Sequence, residues 1–148
     1  MPGIHLWKDR EKQILEPVLF SAIAEGLAKR IAEAGQKRDK HGNPVKDARG
    51  EIQYERNRAS QIRKFYDEVI RLNIMSRVRE AEWEFILPMV HMVTAKAAYA
   101  EGRKLTSHNF TKFIQDCVGQ VKDRRDLDVF ANLFEAFMGY YKLHGPKS

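Results

Sequence analysis

The chain has 148 residues, enough for one domain with a real core and too few for two. Hydrophobic residues at 43% and charged residues at 31% exclude a disordered chain, and no run approaches the roughly 18 uninterrupted apolar residues of a membrane span. With 26 Lys and Arg against 20 Asp and Glu, the formal charge is +6, which favours phosphate-bearing partners because a positive surface releases counterions from nucleic acid.

The opening MPGIHLWKDREKQ has no apolar signal core, so the cytoplasm is the expected compartment. The first helix is expected from about Arg10 to Ala34, where Ile14, Leu15, Val18, Leu19, Ala22, Ile23, Leu27 and Ile31 form one wide apolar stripe. Pro17 falls inside that span, and the regular part can begin there because a missing N–H costs nothing at a helix start. Gly35 ends the helix and opens GQKRDKHGNPVKDARG, residues 35–50, which has a basic excess and almost nothing to bury. That composition predicts an exposed, mobile loop.

A second helix is expected from about Glu51 to Leu72, with a break near Asn73 to Ser76. Its core is RNRASQIRKFYDEVIRLNI, where Ile62, Phe65, Tyr66, Val69 and Ile70 recur at helical spacing while Arg56, Arg58, Arg63, Lys64 and Arg71 crowd the remaining positions. Periodicity leaves two readings open. One is a strip that holds an anion. The other is a solvated face with ion pairs such as Arg63 to Asp67 or Lys64 to Glu68. A third helix, about Arg77 to Glu101, is apolar almost all round from Phe85 to Ala98 and so reads as the central helix, buried on several sides and interrupted by Pro88. Thr106, Ser107 and Asn109 offer N-cap oxygens for a fourth helix carrying Phe110, Phe113, Ile114, Cys117, Val118 and Val121. Asp123 can cap a fifth, with Leu127, Phe130, Phe134, Phe137, Met138 and Tyr141 in its stripe, ended by Gly145 and Pro146. No segment alternates long enough to argue a strand, and no internal repeat is evident. The expected fold is all-α, a single bundle of about five helices over residues 1–148.

Catalytic groups do not assemble. His5, His41, His91, His108 and His144 lack metal-ligand spacing, and His91 reads as a core or groove histidine. Asp123, Asp126 and Asp128 are explained by capping and the helix dipole, and Cys117 by packing. Glycine-rich phosphate loops are absent, and no nucleophile stands with a base and an orienting group. Neither a cofactor nor a metal is expected, and the chain is read as non-enzymatic.

Three motifs, ASQIRKFYDEV at 59–69, AKAAYAEGRK at 95–104 and FANLFEAFMGYYK at 130–142, resemble the small α-helical subunit of type III-A CRISPR–Cas effector complexes, the Csm complexes. A looser match lies in AIAEGLAKRIAE at 22–33. The basic segment 35–50 departs from that family, in which the connection is often shorter. The resemblance implies a non-catalytic helical bundle. It further implies that copies line up opposite the backbone subunits, beside the large subunit, in antiviral defence. The partners it implies are crRNA and target RNA, with contacts to their backbones and no reading of bases. The resemblance carries Arg63, Lys64, Lys96 and Arg103 over as RNA contacts, with Gln61 adding a sugar or phosphate hydrogen bond. Arg56, Arg58, Arg71 and Lys104 complete the candidate set. Phe65, Tyr99, Phe134 and Tyr140 are assigned to packing. Two rivals stand beside this reading. One is a helix-turn-helix in KAAYAEGRKLTSHNFTKFIQDC, with Thr106, Ser107, His108, Asn109 and Lys112 starting a recognition helix. The other is a helical adaptor that binds no nucleic acid.

Overall fold

A computed structural model describes residues 3–148. Five helices carry the architecture: α1 Ala24–Gly35, α2 Ala59–Val78, α3 Trp83–Gly102, α4 His108–Val118 and α5 Arg124–His144. The all-α bundle expected from the sequence is what forms. None of the helices is long and apolar enough to cross a membrane.

The central helix is α5, not α3. It packs against both α1 and α2 and buries Leu127, Phe130, Leu133, Phe134, Phe137 and Tyr141. Phe110 and Phe113 of α4 meet it from the other side, so that Phe113 lies 5.3 Å from Phe134 and 5.5 Å from Phe137, centroid to centroid. Phe65 of α2 extends the cluster through an edge contact with Phe110 at 5.0 Å. Each such ring is worth about 1.5–3 kcal/mol in burial, with more from edge and offset geometry.

The start of α5 is fixed by the acids that the sequence assigned to capping. Asp123 and Asp126 form a reciprocal capping box. Asp126, 1% exposed, also accepts from Trp7 Nε1 at 2.8 Å and from Arg10 Nη2 at 2.8 Å. Burial alone pushes its carboxyl up, but Arg10, the backbone N–H groups of Lys122 and Asp123, and Trp7 together hold it below the ordinary range. Ionised Asp126 therefore stabilises the fold above the ordinary carboxylate range, and that contribution fades as the pH falls through its depressed value. Asp126→Ala should cost about 2–3 kcal/mol at neutral pH. Denaturant curves at neutral and acid pH should show the gap from the parent closing in acid.

These contacts also explain why the first predicted helix is shorter than its stripe. Residues 7–15 form a small antiparallel hairpin, β1 Trp7–Asp9 with β2 Ile14–Leu15, that lays Trp7 and Arg10 on Asp126. Gln13, at φ 57°, turns the chain between its strands, and Pro17 disfavours helical backbone at Glu16, so the helical residues start only at Leu19. A wide helical turn over Leu19–Ile23 leads into α1.

The segment predicted as a mobile loop is hydrogen-bonded to itself and carries a repeat that the sequence reading missed. KRDKHGNP at 37–44 and VKDARGEI at 45–52 share Asp and Gly at matching positions. Lys37 N donates to Gln53 O, Gln53 N to Val45 O and Val45 N to Lys37 O, each at 2.9 Å, closing a ring of three extended segments eight residues apart. Three antiparallel bridges, Gln36 to Tyr54, Arg38 to Pro44 and Lys46 to Ile52, complete it. At the first two corners Asp39 Oδ1 accepts from His41 N and Asn43 N, and Asp47 Oδ1 from Arg49 N and Glu51 N. Gly42 (φ 81°) and Gly50 (φ 78°) supply the left-handed residue each corner needs. The third corner is the attachment to the bundle, where Glu55 N donates to Gly35 O at 2.9 Å.

Helix α2 begins at Ala59, later than predicted, because Asn57 (φ 58°) and the extended Arg58 precede it. Buried Asn57 donates to Ile31 O and to Ser107 Oγ, both at 2.8 Å, and accepts from Tyr141 Oη on its carbonyl. The predicted break at 73–76 does not occur. Asn73 Nδ2 is drawn to Asp128 at 2.7 Å instead of competing with the helix backbone, and Ser76 Oγ bonds the Asn73 carbonyl. Ser107 is the N-cap of α4, but its hydroxyl serves Asn57 and Asn109 and caps nothing.

Helix α3 departs furthest from expectation. One face, Ile86, Val90, Val93, Ala97 and Ala100, is buried against α4 and α2. Phe85 (78% exposed), Met92 (54%) and Tyr99 (68%) lie open, as does His91. The helix is apolar almost all round from Phe85 to Ala98, yet the bundle covers only one side of it.

Candidate nucleic-acid interface

Helices α2 and α3 pack side by side, and an open groove with a volume of about 550 Å³ runs between them. Its walls include Gln61, Lys64 and Glu68 from α2 and Lys96, Tyr99 and Arg103 from α3, over a floor of Phe65, Val93 and Ala100. Residues 61, 64 and 68 share one edge of α2 by their spacing of three and four, and residues 96, 99 and 103 do the same on α3. The buried neighbours Ile62, Phe65 and Val69 on one helix, and Val93, Ala97 and Ala100 on the other, fix those edges toward the groove.

Four of the nine candidate residues thus come together: Gln61, Lys64, Lys96 and Arg103. Their charges are not equally free. Glu68 Oε2 accepts from Lys96 Nζ at 2.7 Å and Glu68 Oε1 from Arg71 Nε at 2.6 Å. Arg71's hydrogen bond, opposed by burial and joined by Lys96, holds the Glu68 carboxyl below its ordinary range. Lys64 and Arg103 make no ion pair among the described residues, and neither does Arg63. The i, i+4 pairs expected for a plain solvated face, Arg63 to Asp67 and Lys64 to Glu68, do not form. Glu68 is taken by residues above it on α2 and across the groove.

The other candidates lie elsewhere. Exposed Arg63 neighbours Tyr66 rather than the groove. Arg58 donates to Tyr54 O at 3.2 Å and lines a separate cleft with Pro146 and Lys147. Half-buried Arg56 lies close enough to Glu101 to help lower its carboxyl, and Lys104 (φ 62°) occupies the turn after α3.

The sequence reading missed two groove residues. Tyr99, assigned to packing, is exposed, and the Arg103 guanidinium stands 5.7 Å from its ring centroid. Its position three beyond Lys96 and four before Arg103 was the available signal. Glu68 is the other, the counter-charge that decides which cations are free. Phe65 and Phe134 are packed as expected, and Tyr140 is half-buried.

A strip of cations beside an exposed aromatic suits a single nucleic-acid strand, with phosphates on Lys and Arg and a base or ribose against Tyr. The start of α4 is less available to a duplex. Ser107 and Thr106 are buried, Asn109 donates to Arg30 O at 3.1 Å, His108 faces Glu101 at 3.2 Å and Lys112 pairs with Asp116.

A family model described as Csm2 Type III-A matches residues 45–147, more than half of the chain, beginning inside the three-cornered segment and taking in both walls of the groove. No curated protein and no solved structure is similar enough to match. The chain belongs to the Csm2 Type III-A family, the small subunit of the type III-A CRISPR–Cas Csm complex.

Proposed function

We propose that this subunit holds the backbone of crRNA and target RNA in the α2–α3 groove, without reading bases and without catalysis, as part of cytoplasmic antiviral defence. The observation that carries the reading is the convergence of Lys64, Lys96 and Arg103 with Tyr99 on one open groove, two of the cations having no counter-ion among the described residues. The helix-turn-helix rival loses support because Thr106 and Ser107 are buried, while Asn109, His108 and Lys112 are engaged with Arg30, Glu101 and Asp116. Titration of the isolated chain with two unrelated single-stranded RNAs and a duplex DNA tests the reading. Similar, steeply salt-dependent affinity for both RNAs is expected. Strong preference for one duplex DNA sequence at high salt would reject it.

The other end of the α3 edge supports contact between neighbouring copies. Phe85, Met89 and Met92 repeat at four and three residues, the spacing of a helix-pairing seam, and all three are exposed. The parent should sediment as a dimer at high micromolar concentration, and Phe85→Lys/Met92→Lys as a folded monomer. A monomeric parent would remove this contact from the account.

A further inference from the structure

The three-cornered segment 36–54 is an exposed element that lies outside the groove. It carries Lys37, Arg38, Lys40, Lys46 and Arg49, all exposed, against three acids, Asp39, Asp47 and Glu51. None of the five cations forms an ion pair among the described residues. The reason is local. Asp39 and Asp47 direct Oδ1 at two backbone N–H groups each, so these carboxylates hold the corners closed and are not drawn to the neighbouring side chains. Corner one presents Lys40 and His41, and corner two presents Arg49 at the position equivalent to His41.

We infer that this segment is a second polyanion-binding element, a preformed clasp that takes successive phosphates of a single RNA strand on Lys40, Lys46 and Arg49. The closed ring of backbone hydrogen bonds fixes the chain positions that carry the cations, so little backbone ordering entropy opposes the contact. A protein partner fits less well. Interfaces are anchored by large apolar or aromatic side chains. Here Ile52 is the sole large hydrophobic among the exposed ones, and only 37% so, while Tyr54 is turned partly inward. The inference rests on the proposed RNA reading only in naming RNA as the anion, since its residues are distinct from those of the groove.

The test is a titration of the full chain with a fluorescent oligouridine across a salt series. Lys40, Lys46 and Arg49 make no side-chain hydrogen bond among the described residues, so Lys40→Glu/Lys46→Glu/Arg49→Glu should leave the fold intact, as far-UV circular dichroism checks. Its log–log salt slope should be shallower by about 2, three contacts at about 0.7 each, with affinity reduced at least tenfold. A second variant replaces 36–54 by Gly-Gly, a short join that the Glu55 N to Gly35 O bond of 2.9 Å makes feasible, and should reproduce that loss. Both variants are compared with Lys64→Glu/Arg103→Glu. Loss in the clasp variants with none in the groove variant would uphold the clasp and reject the groove. Unchanged slope and affinity in the clasp variants would overturn the clasp, whether or not the groove variant is impaired. So would normal RNA binding combined with loss of co-purifying Csm subunits, which would make the clasp a protein contact.

Discussion

Phe134→Ala is expected to destabilise the protein by about 4 kcal/mol, within the range of about 3–5 for a fully buried phenylalanine. The ring is completely buried and touches five other aromatic rings: Tyr66 at 5.6 Å, Phe110 at 6.4 Å, Phe113 at 5.3 Å, Phe130 at 6.0 Å and Phe137 at 5.7 Å. These neighbours come from three helices, so no single side-chain shift can refill the space, and the cavity term stays large. A domain of this size loses roughly 2–4 °C of Tm per kcal/mol, which puts the expected fall at about 8–16 °C. Phe65→Ala should cost less. Phe65 keeps 8% exposure and borders the groove, where water can enter the space it leaves. A thermal melt of both variants checks the order, and an equal or larger loss for Phe65→Ala would place the centre of the core at α2 and not α5.

Lys64→Glu/Arg103→Glu is expected to lower affinity for single-stranded RNA at least tenfold at moderate salt and to reduce the salt slope by about 1.4, two contacts at about 0.7 each. Both side chains border the groove and neither is engaged in an ion pair among the described residues, so the fold should lose no more than about 0.5 kcal/mol. Arg63→Glu is the control. By sequence Arg63 and Lys64 look equivalent, but only Lys64 borders the groove, and Arg63→Glu should leave RNA binding close to the parent value. Glu68→Gln should act in the opposite sense, raising affinity about two- to fivefold by releasing Lys96 and Arg71. Filter binding at three salt concentrations resolves all four proteins.

The helices were legible wherever a stripe and its stop signals agreed. Asp123 with the Leu127 to Tyr141 stripe defined α5, and Gly102 closed α3, because capping and burial act within a few residues of each other. The hairpin at 7–15 was hidden because its fastening is to Asp126, more than one hundred positions away, and local pattern cannot report such a contact. The clasp at 36–54 was hidden differently. It buries almost nothing, so hydrophobic periodicity had no signal, and only the Asp and Gly repeat marked it. The α3 error shows that apolar composition measures what a helix can bury and not what its own chain covers. For the candidate site, motif resemblance named Lys64, Lys96 and Arg103, which line one groove, but spacing alone could not separate Lys64 from Arg63 or show that Glu68 bridges two helices.

The most direct test of the RNA reading is ultraviolet crosslinking of single-stranded RNA to the full chain in its Csm complex, followed by mass spectrometry of the linked peptides. Aromatic side chains against bases crosslink efficiently, and Tyr99 is the exposed aromatic of the groove. Crosslinks should fall on α3 at Tyr99 and on α2 around Gln61 to Lys64, and should weaken in Lys64→Glu/Arg103→Glu. Crosslinks confined to α4 around His108 to Lys112, with none on α2 or α3, would contradict the assignment of the groove.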